Sequence, residues 1–389
     1  MYNYFCVKIV AMINPFVING IIPDQYFCDR KVETQKIETC IRNQSNLLIT
    51  SPRRMGKTQL IHHVYHQPEI ADNYYTFYVD IYSTTSLHEF ILLLSKEIYT
   101  TLAPKGKRVL DSFISVLKSL SGSFGYDVMT GLPSFDVKLG DIRMPELTLS
   151  EIFAYLENAD KPCVCTIDEF QQIGKYPENN VEALLRTYIQ KMNNCRFIFA
   201  GSDRHTLENM FNSPAKPFYN SVEQMYLDRI PKDVYMDFIL RIFEERNRRI
   251  SEAACSYVYD LFEGHTYYVH NVLHNIFAYT EPDVEVTEDI VSRTIKDILQ
   301  EREYSFLSQL SLLNYTQKET LIAIAKDVKA SEITSVGFIK RHALQSPSSV
   351  QNAVKNLLKL QMITYHQSGK TKVYTISDRF LQMWIDQKY

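Results

Sequence analysis

Eight consecutive residues, Ser51-Pro52-Arg53-Arg54-Met55-Gly56-Lys57-Thr58, put a glycine, a lysine and a hydroxyl where an apolar run meets a helix-like one. A turn leading into a helix can aim backbone N–H groups at the oxygens of an anion, because the first N–H groups of a helix lack intrahelical partners. Gly56 permits close backbone approach, Lys57 supplies a mobile positive charge, and Thr58 offers a hydroxyl to a hard cation such as Mg²⁺. The spacing matches G-x-x-x-x-G-K-[ST] everywhere but the first position, where Ser51 replaces glycine. It predicts a site for the phosphates of ATP, with Lys57 on the β- and γ-phosphates and with Pro52, Met55 and Gln59 in the same cradle. Arg53 and Arg54 are either solvated or in contact with a phosphate or a partner.

About 110 residues later, Cys163-Val164-Cys165-Thr166-Ile167-Asp168-Glu169 reads as a buried strand ending in two carboxylates. Such a strand can deliver Asp168 to the shell of a Mg²⁺ ion shared with Thr58, and Glu169 to the water that attacks the γ-phosphorus. This is the pattern of a Walker B motif. The adjacent glutamate belongs with P-loop ATPases that have an added strand between the two motifs. A third strand, Phe197-Ile198-Phe199-Ala200, leads into Gly201-Ser202, a place from which Ser202 could sense the phosphate or the water. Phosphoryl transfer also calls for an arginine. Arg186 and Arg204 are the candidates, and either could serve in a structural ion pair instead.

These residues need a scaffold, and the pattern around them supplies one. Asn46–Thr50, Tyr75–Ile81, Pro162–Ile167 and Arg196–Ala200 are strand-like runs separated by the helical stretches Thr58–Tyr65, Ser86–Thr101, Thr148–Asn158 (Ser150 as cap) and Asn180–Met192. Apolar strands alternating with helices imply a parallel sheet covered on both faces, with Tyr75–Ile81 at its outside. Four of the chain's 12 glycines fall between 119 and 141, which reads as a loop or β-hairpin insertion. From about Pro231 the strand signals stop. Val234–Arg246, Ser251–Phe262, Tyr267–Tyr279 and Thr287–Leu299 read as helices of a small lid. Beyond 301, helices at Gln317–Lys326, Ser335–His342 and Pro347–Gln361 precede strands at Met362–His366 and Lys372–Ile376, the order of a winged helix.

With 389 residues, 45% hydrophobic and 22% charged, the chain has room for several folded cores. A net charge of -3 gives no global positive field for nucleic acid, so any such contact needs a local patch. Seven scattered cysteines predict reduced core thiols and a cytoplasmic location; Cys163 and Cys165 read as strand thiols rather than a zinc pair. The histidines at 62, 63, 66, 265, 270 and 274 make no metal set. No run of 18 apolar residues predicts a membrane span. Met12 stands as an alternative to Met1 as the start.

Asn14-Pro15-Phe16, Phe27 with Asp29-Arg30 and Glu33, Ser51–Thr58, Ile167-Asp168-Glu169-Phe170-Gln171-Gln172-Ile173, Phe199–Ser202, Pro217-Phe218-Tyr219, Gly264-His265-Thr266-Tyr267-Tyr268, and Asp378-Arg379-Phe380 near Trp384 run the length of the chain. In these the chain resembles the prokaryotic AAA-type ATPases of the archaeal ATPase family, which lie near the STAND switch ATPases. Ser-Pro-Arg-Arg in the loop is usual in that family. Asp29, where the family often has Gly, and Thr266, where it often has Pro, depart from it. The resemblance implies a nucleotide site roofed by Phe27–Arg30 and by the lid. No lid arginine of the γ-phosphate-sensing kind is identifiable, which predicts slow turnover.

The expected architecture is an α/β P-loop ATPase domain (ASCE/AAA-type) at 31–228 after an arm at 1–30 that contributes to the site. A helical lid at 229–300 and a winged-helix domain at 301–389 follow. The expected function is Mg²⁺-dependent ATP hydrolysis by a nucleotide-controlled switch. The alternatives are an ATP-regulated DNA-binding protein, with Ser348, Ser349, Gln351, Asn352 and Lys355 forward and Lys370 and Lys372 on phosphate, or a signalling or defence protein with little hydrolysis. Its partner would then be another protein or a further copy of the chain.

Overall fold

The computed structural model describes residues 14–120, 123–126, 133–369 and 371–389. Met1, Cys6, Met12 and Lys370, and the middle of the 119–141 insertion, lie outside them. The chain forms two compact units. One holds Asn19–Tyr235 with His265–Tyr267; the other holds the segment ending at Ile18, Met236–Gly264 and Tyr268–Tyr389.

The first unit is built on β1 (Leu47–Thr50), β2 (Tyr75–Asp80), β5 (Cys163–Asp168), β6 (Cys195–Gly201) and β7 (Glu223–Tyr226), with a side hairpin of β3 (Ser123–Tyr126) and β4 (Pro133–Asp136). The main sheet runs β2-β5-β6-β1-β7 with every pair parallel. β6 is thus the added strand between the loop-bearing β1 and the carboxylate-bearing β5, and β2 lies outside β5, both as expected. Every residue of β1 and β5 is buried, which only a sheet covered on both faces allows.

On one face Leu47, Ile49, Val164 and Ile198 pack against the helices Lys31–Arg42 and Lys57–His66. On the other, Leu48, Phe77, Cys165 and Phe197 pack under Leu87–Leu102, Pro145–Asn158 and Val181–Ile189. Cys163 and Cys165 are core thiols, and burial pushes the Cys163 thiol up to about 12.

Several expectations need correcting. Ser150 is not a cap: the helix begins at Pro145, suited to a first turn that needs no N–H, and the Ser150 hydroxyl donates to Leu147 O at 2.8 Å from inside it. A further helix, Lys107–Val116, precedes the hairpin. The β7 edge escaped because its pattern is exposed, with only Met225 buried.

The helices Lys232–Glu245, Glu252–Leu261 and Thr266–Tyr279, which belong to the second unit apart from Lys232–Tyr235 and Thr266–Tyr267, match expectation to within two residues at each end. The next, Glu288–Ser311, runs 12 residues past Leu299, because buried Phe306 and Leu310 continue its apolar stripe beyond the charged Glu301-Arg302-Glu303. Its neighbours include a two-residue parallel pair, β8 (Arg249–Ile250) with β9 (Glu285–Val286). Phe16, fully buried, packs its ring against Phe243, Phe238 and Phe277.

The winged helix comprises helices Tyr315–Asp327, Val336–Arg341 and Pro347–Lys359 and the sheet β10 (Ala330–Ser331), β12 (Thr371–Ile376), β11 (Ile363–Ser368). A terminal helix, Arg379–Lys388, adds buried Phe380, Leu381, Trp384 and Ile385. Phe380 meets Tyr268 and Phe262 edge-on, and Arg379 pairs with Glu263 at 3.2 Å, so the Asp378-Arg379-Phe380 motif docks the winged helix within its unit. Among the described residues no helix is long and apolar enough to cross a membrane.

Candidate functional site

The loop 51–56 joins β1 to the helix Lys57–His66, and Ser51 N–H donates to Gly201 O at 3.4 Å, so the loop is tied to the end of β6. Gly56 has φ 91°, with open space where a Cβ would stand; it is glycine for its backbone angle, not for room. Lys57 and Thr58 then fall in the first turn of the helix, where N–H groups remain free for an anion.

β5 ends at the same level. Thr58 Oγ1 lies 3.2 Å from Asp168 Oδ2, and Lys57 Nζ lies 3.6 Å from Asp168 Oδ1 and 3.9 Å from Glu169 Oε1. Lys57 and Asp168 are both buried, a placement that charged groups tolerate when paired.

Glu169 has φ 56°, a left-handed conformation that non-glycine residues hold at a cost and often at functional sites. Its turn is anchored from beneath by fully buried Phe170, whose ring meets Phe199 at 4.5 Å and Phe218 at 5.3 Å. The Glu169 carboxylate accepts from Ser202 Oγ at 3.1 and 3.2 Å and from the Gln171 side-chain amide. Arg53 Nε donates to Ser202 Oγ at 3.4 Å, which brings one loop arginine to the end of β6. Arg54 instead places its guanidinium over the Tyr267 ring at 4.3 Å.

The other predicted residues lie elsewhere or serve differently. Gln59 holds the arm: its Oε1 accepts from Ile22 N at 2.9 Å and its Nε2 donates to Gly20 O at 2.6 Å. Phe27 stacks on His63 at 4.1 Å, one turn further along the same helix, and buried Arg30 pairs with Glu33 at 2.7 Å. Met55 is buried and Pro52 exposed. Arg204 binds Glu208 at 2.6 Å and covers the Tyr226 ring at 4.9 Å. Among the described residues no hydrogen bond or ion pair links Arg186 or Arg204 to Lys57, Asp168, Glu169 or Ser202.

Two residues escaped the sequence reading. Tyr78, on β2, donates its hydroxyl to Asp168 Oδ2 and stands 3.2 Å from Thr58 Oγ1. Burial, reinforced by Asp168, raises its pKa far above the usual tyrosine range, so it keeps its proton. Asp80 is paired in register with Asp168 at the strand ends. Burial raises its pKa, as do Asp168 and Glu169, against a lowering hydrogen bond from Tyr82 N–H. The alternation Phe77/Val79 against Tyr78/Asp80 was the available signal.

The paired oxygens of Thr58 and Asp168 are the donor chemistry a hard divalent cation uses. Mg²⁺ is commonly held by one or two protein groups plus phosphates and water, so the lack of any cluster of three metal-ligating side chains among the described residues is no obstacle.

Gly201 is required for space. A Cβ there would lie 2.2 Å from Gln171 Oε1 and 2.8 Å from Leu207 Cδ1. Gly201→Ala is expected to displace Gln171 from Glu169 and to cost about 1–3 kcal/mol of stability through overpacking. A thermal melt checks this, and an unchanged Tm would show that Gln171 simply swings aside.

A phosphate-type loop after β1, facing two carboxylates across an inserted strand, defines an ATP-binding P-loop ATPase-like protein. The chain belongs to the family described as the ATPase domain predominantly from Archaea, whose model matches residues 27–272; residues 304–387 match a probable winged helix domain. An uncharacterized ATP-binding protein of Methanocaldococcus jannaschii is 25% identical over 201 residues, 48% of this chain and 55% of that protein. The chain therefore aligns with about half the length of this curated relative. Among solved structures, the Walker-type ATPase of Pyrococcus abyssi is similar at TM-score 0.64 and 17% identity, covering 95% of this chain and 99% of that one. The ORC2 protein of Aeropyrum pernix, in its ADPNP–ADP complexes, follows at 0.55 and 14%, covering 96% of each. These two likenesses are of fold.

Proposed function

We propose that the chain binds ATP with Mg²⁺ at 51–58 and hydrolyses it slowly, as a nucleotide-controlled switch. The observation that carries this reading is the Glu169 carboxylate, held by Ser202 and Gln171 within 3.9 Å of Lys57 and beside Asp168. Thr58 and Asp168 would hold Mg²⁺, whose charge would offset that of the phosphates. Lys57 binds the β- and γ-phosphates. Glu169 orients a water and takes its proton as the water's oxygen attacks the γ-phosphorus in line, and ADP leaves opposite. Ser202, joined to both Glu169 and Arg53, is suited to report whether the γ-phosphate is present. Slow turnover rests on the family resemblance, against which no lid arginine of the γ-phosphate-sensing kind is identifiable. The test is ATP binding and Mg²⁺-dependent phosphate release by the full chain. Failure to bind nucleotide would end the proposal, and tight binding without release would leave a switch without turnover.

A second reading, DNA binding, is favoured by the helix Pro347–Lys359. Gln351, Asn352, Lys355, Asn356 and Lys359 are exposed and include no acid, and none has an ion pair among the described residues. Ser349 does not join them, because its hydroxyl completes the cap with Ser346 at 3.0 Å. Lys372 lies over the Tyr365 ring at 4.6 Å. On this reading, replacing Lys355 and Lys359 with alanine weakens duplex binding across sequences and lowers the salt slope by about 2. Anisotropy at several salt concentrations measures this; no wild-type binding at low salt would sink the DNA reading.

A further inference from the structure

We propose that Tyr78 is a positioning residue of the cation site. Its oxygen takes the hydrogen bond of Thr58 when Thr58 turns a lone pair to Mg²⁺, while its own proton holds Asp168. The inference rests on the ATP and Mg²⁺ reading above.

Tyr78 Oη, Thr58 Oγ1 and Asp168 Oδ2 form a closed triangle. Thr58 donates to Asp168 Oδ2 at 3.2 Å, and Tyr78 donates both to the same carboxylate oxygen and, at 3.2 Å, to Thr58 Oγ1. Two hydroxyl protons are therefore shared among three oxygens, and with no cation both can point at Oδ2. A hydroxyl that ligates a cation must present a lone pair and send its proton elsewhere. If that proton stayed on Oδ2, it would occupy the lone pair that the cation needs from Asp168. Tyr78 offers another acceptor at the same distance. The resulting chain runs from Thr58 O–H to Tyr78 O–H to Asp168, and it leaves a lone pair on each ligand facing the cation. No proton is gained or lost; the Thr58 hydroxyl rotates, and the Tyr78–Thr58 hydrogen bond reverses.

The hydroxyl comes preset. Tyr78 N–H donates to Glu97 Oε1 at 3.3 Å, and the ring packs at 4.6 Å against His62, one turn beyond Thr58 on the loop's own helix. The donors to the other carboxylate oxygen are different groups: Glu169 N–H at 2.9 Å and Lys57 Nζ at 3.6 Å both address Oδ1. Tyr78 thus serves the cation side of Asp168 and leaves the phosphate side to Lys57. Outer partners of metal ligands commonly set affinity by about 10- to 100-fold.

Tyr78→Phe removes one oxygen and keeps the ring. A fluorescent ATP analogue is titrated into full-length wild type and variant at graded Mg²⁺ and in EDTA, with a thermal melt on each. The expected result is a Mg²⁺ midpoint raised about 10-fold in the variant, with unchanged affinity in EDTA and an unchanged melt. An unmoved midpoint overturns the proposal, as does an equal loss in EDTA, which would mean a general distortion of the site. A lowered midpoint also overturns it, because the hydroxyl would then be a competitor that the cation displaces. Wild-type affinity indifferent to Mg²⁺ would instead bring down the metal reading itself, and it shows before the variant is compared.

Discussion

Lys57→Ala is expected to lower ATP affinity by about 100- to 1,000-fold, equivalent to roughly 3–4 kcal/mol, while the protein stays folded. Lys57 Nζ is the positive group between Asp168 at 3.6 Å and Glu169 at 3.9 Å, with Asp80 beside them. Removing it does more than delete a charge-assisted contact to phosphate, itself about twice as strong as a neutral one. It leaves three carboxylates facing an incoming triphosphate. The fold should survive because Asp168 keeps Thr58, Tyr78 and Glu169 N–H as donors. Binding of a fluorescent nucleotide, beside a circular-dichroism spectrum, reads both effects. Wild-type affinity in a folded Lys57→Ala variant would sink the whole site assignment.

What could be read in advance was what lies together in sequence. Ser51–Thr58 is one contiguous turn, and Asp168-Glu169 ends one apolar strand. Their chemistry follows from neighbours along the chain, and the structure brings Thr58 and Asp168 together across 110 positions. Tyr78 and Asp80 were not legible, because their part depends on which strand lies beside which. Only the pairing of β2 with β5, Tyr78 opposite Thr166 and Asp80 opposite Asp168, brings them to the site. Period-2 alternation separates Tyr78 from Phe77 but does not say which face the helix Lys57–His66 covers.

Arg204 takes the second of the two roles open to it, a structural ion pair. It stands two residues past Ser202, yet a helix begins at Arg204 and pairs it with Glu208 one turn on. Meanwhile Arg53, left open between solvent and a ligand, reaches Ser202. Among the edges and ends, β7 is too polar and β8 too short for periodicity to register.

Glu169→Gln should separate the two halves of the proposed function. The substitution keeps the length and shape of the side chain and removes its charge and its capacity to accept a proton. Glu169 sits at φ 56° over a fully buried Phe170, so the backbone holds the residue in place whatever its side chain carries. A glutamine carbonyl can still accept from Ser202, and its amide still lies beside the loop. ATP affinity should therefore change by no more than a few-fold. Repulsion between Glu169 and the γ-phosphate is also relieved, so the change can be in the direction of tighter binding. Hydrolysis should fall by about 100- to 10,000-fold, the usual contribution of a positioned general base. Phosphate release and nucleotide binding measured on one preparation decide the matter. Loss of turnover with ATP retained makes Glu169 the group that handles the water, and it yields a form of the chain held in its ATP state. Unchanged turnover refutes that role. A parallel loss of ATP binding would mean that the carboxylate mainly holds Lys57 in place, 3.9 Å away.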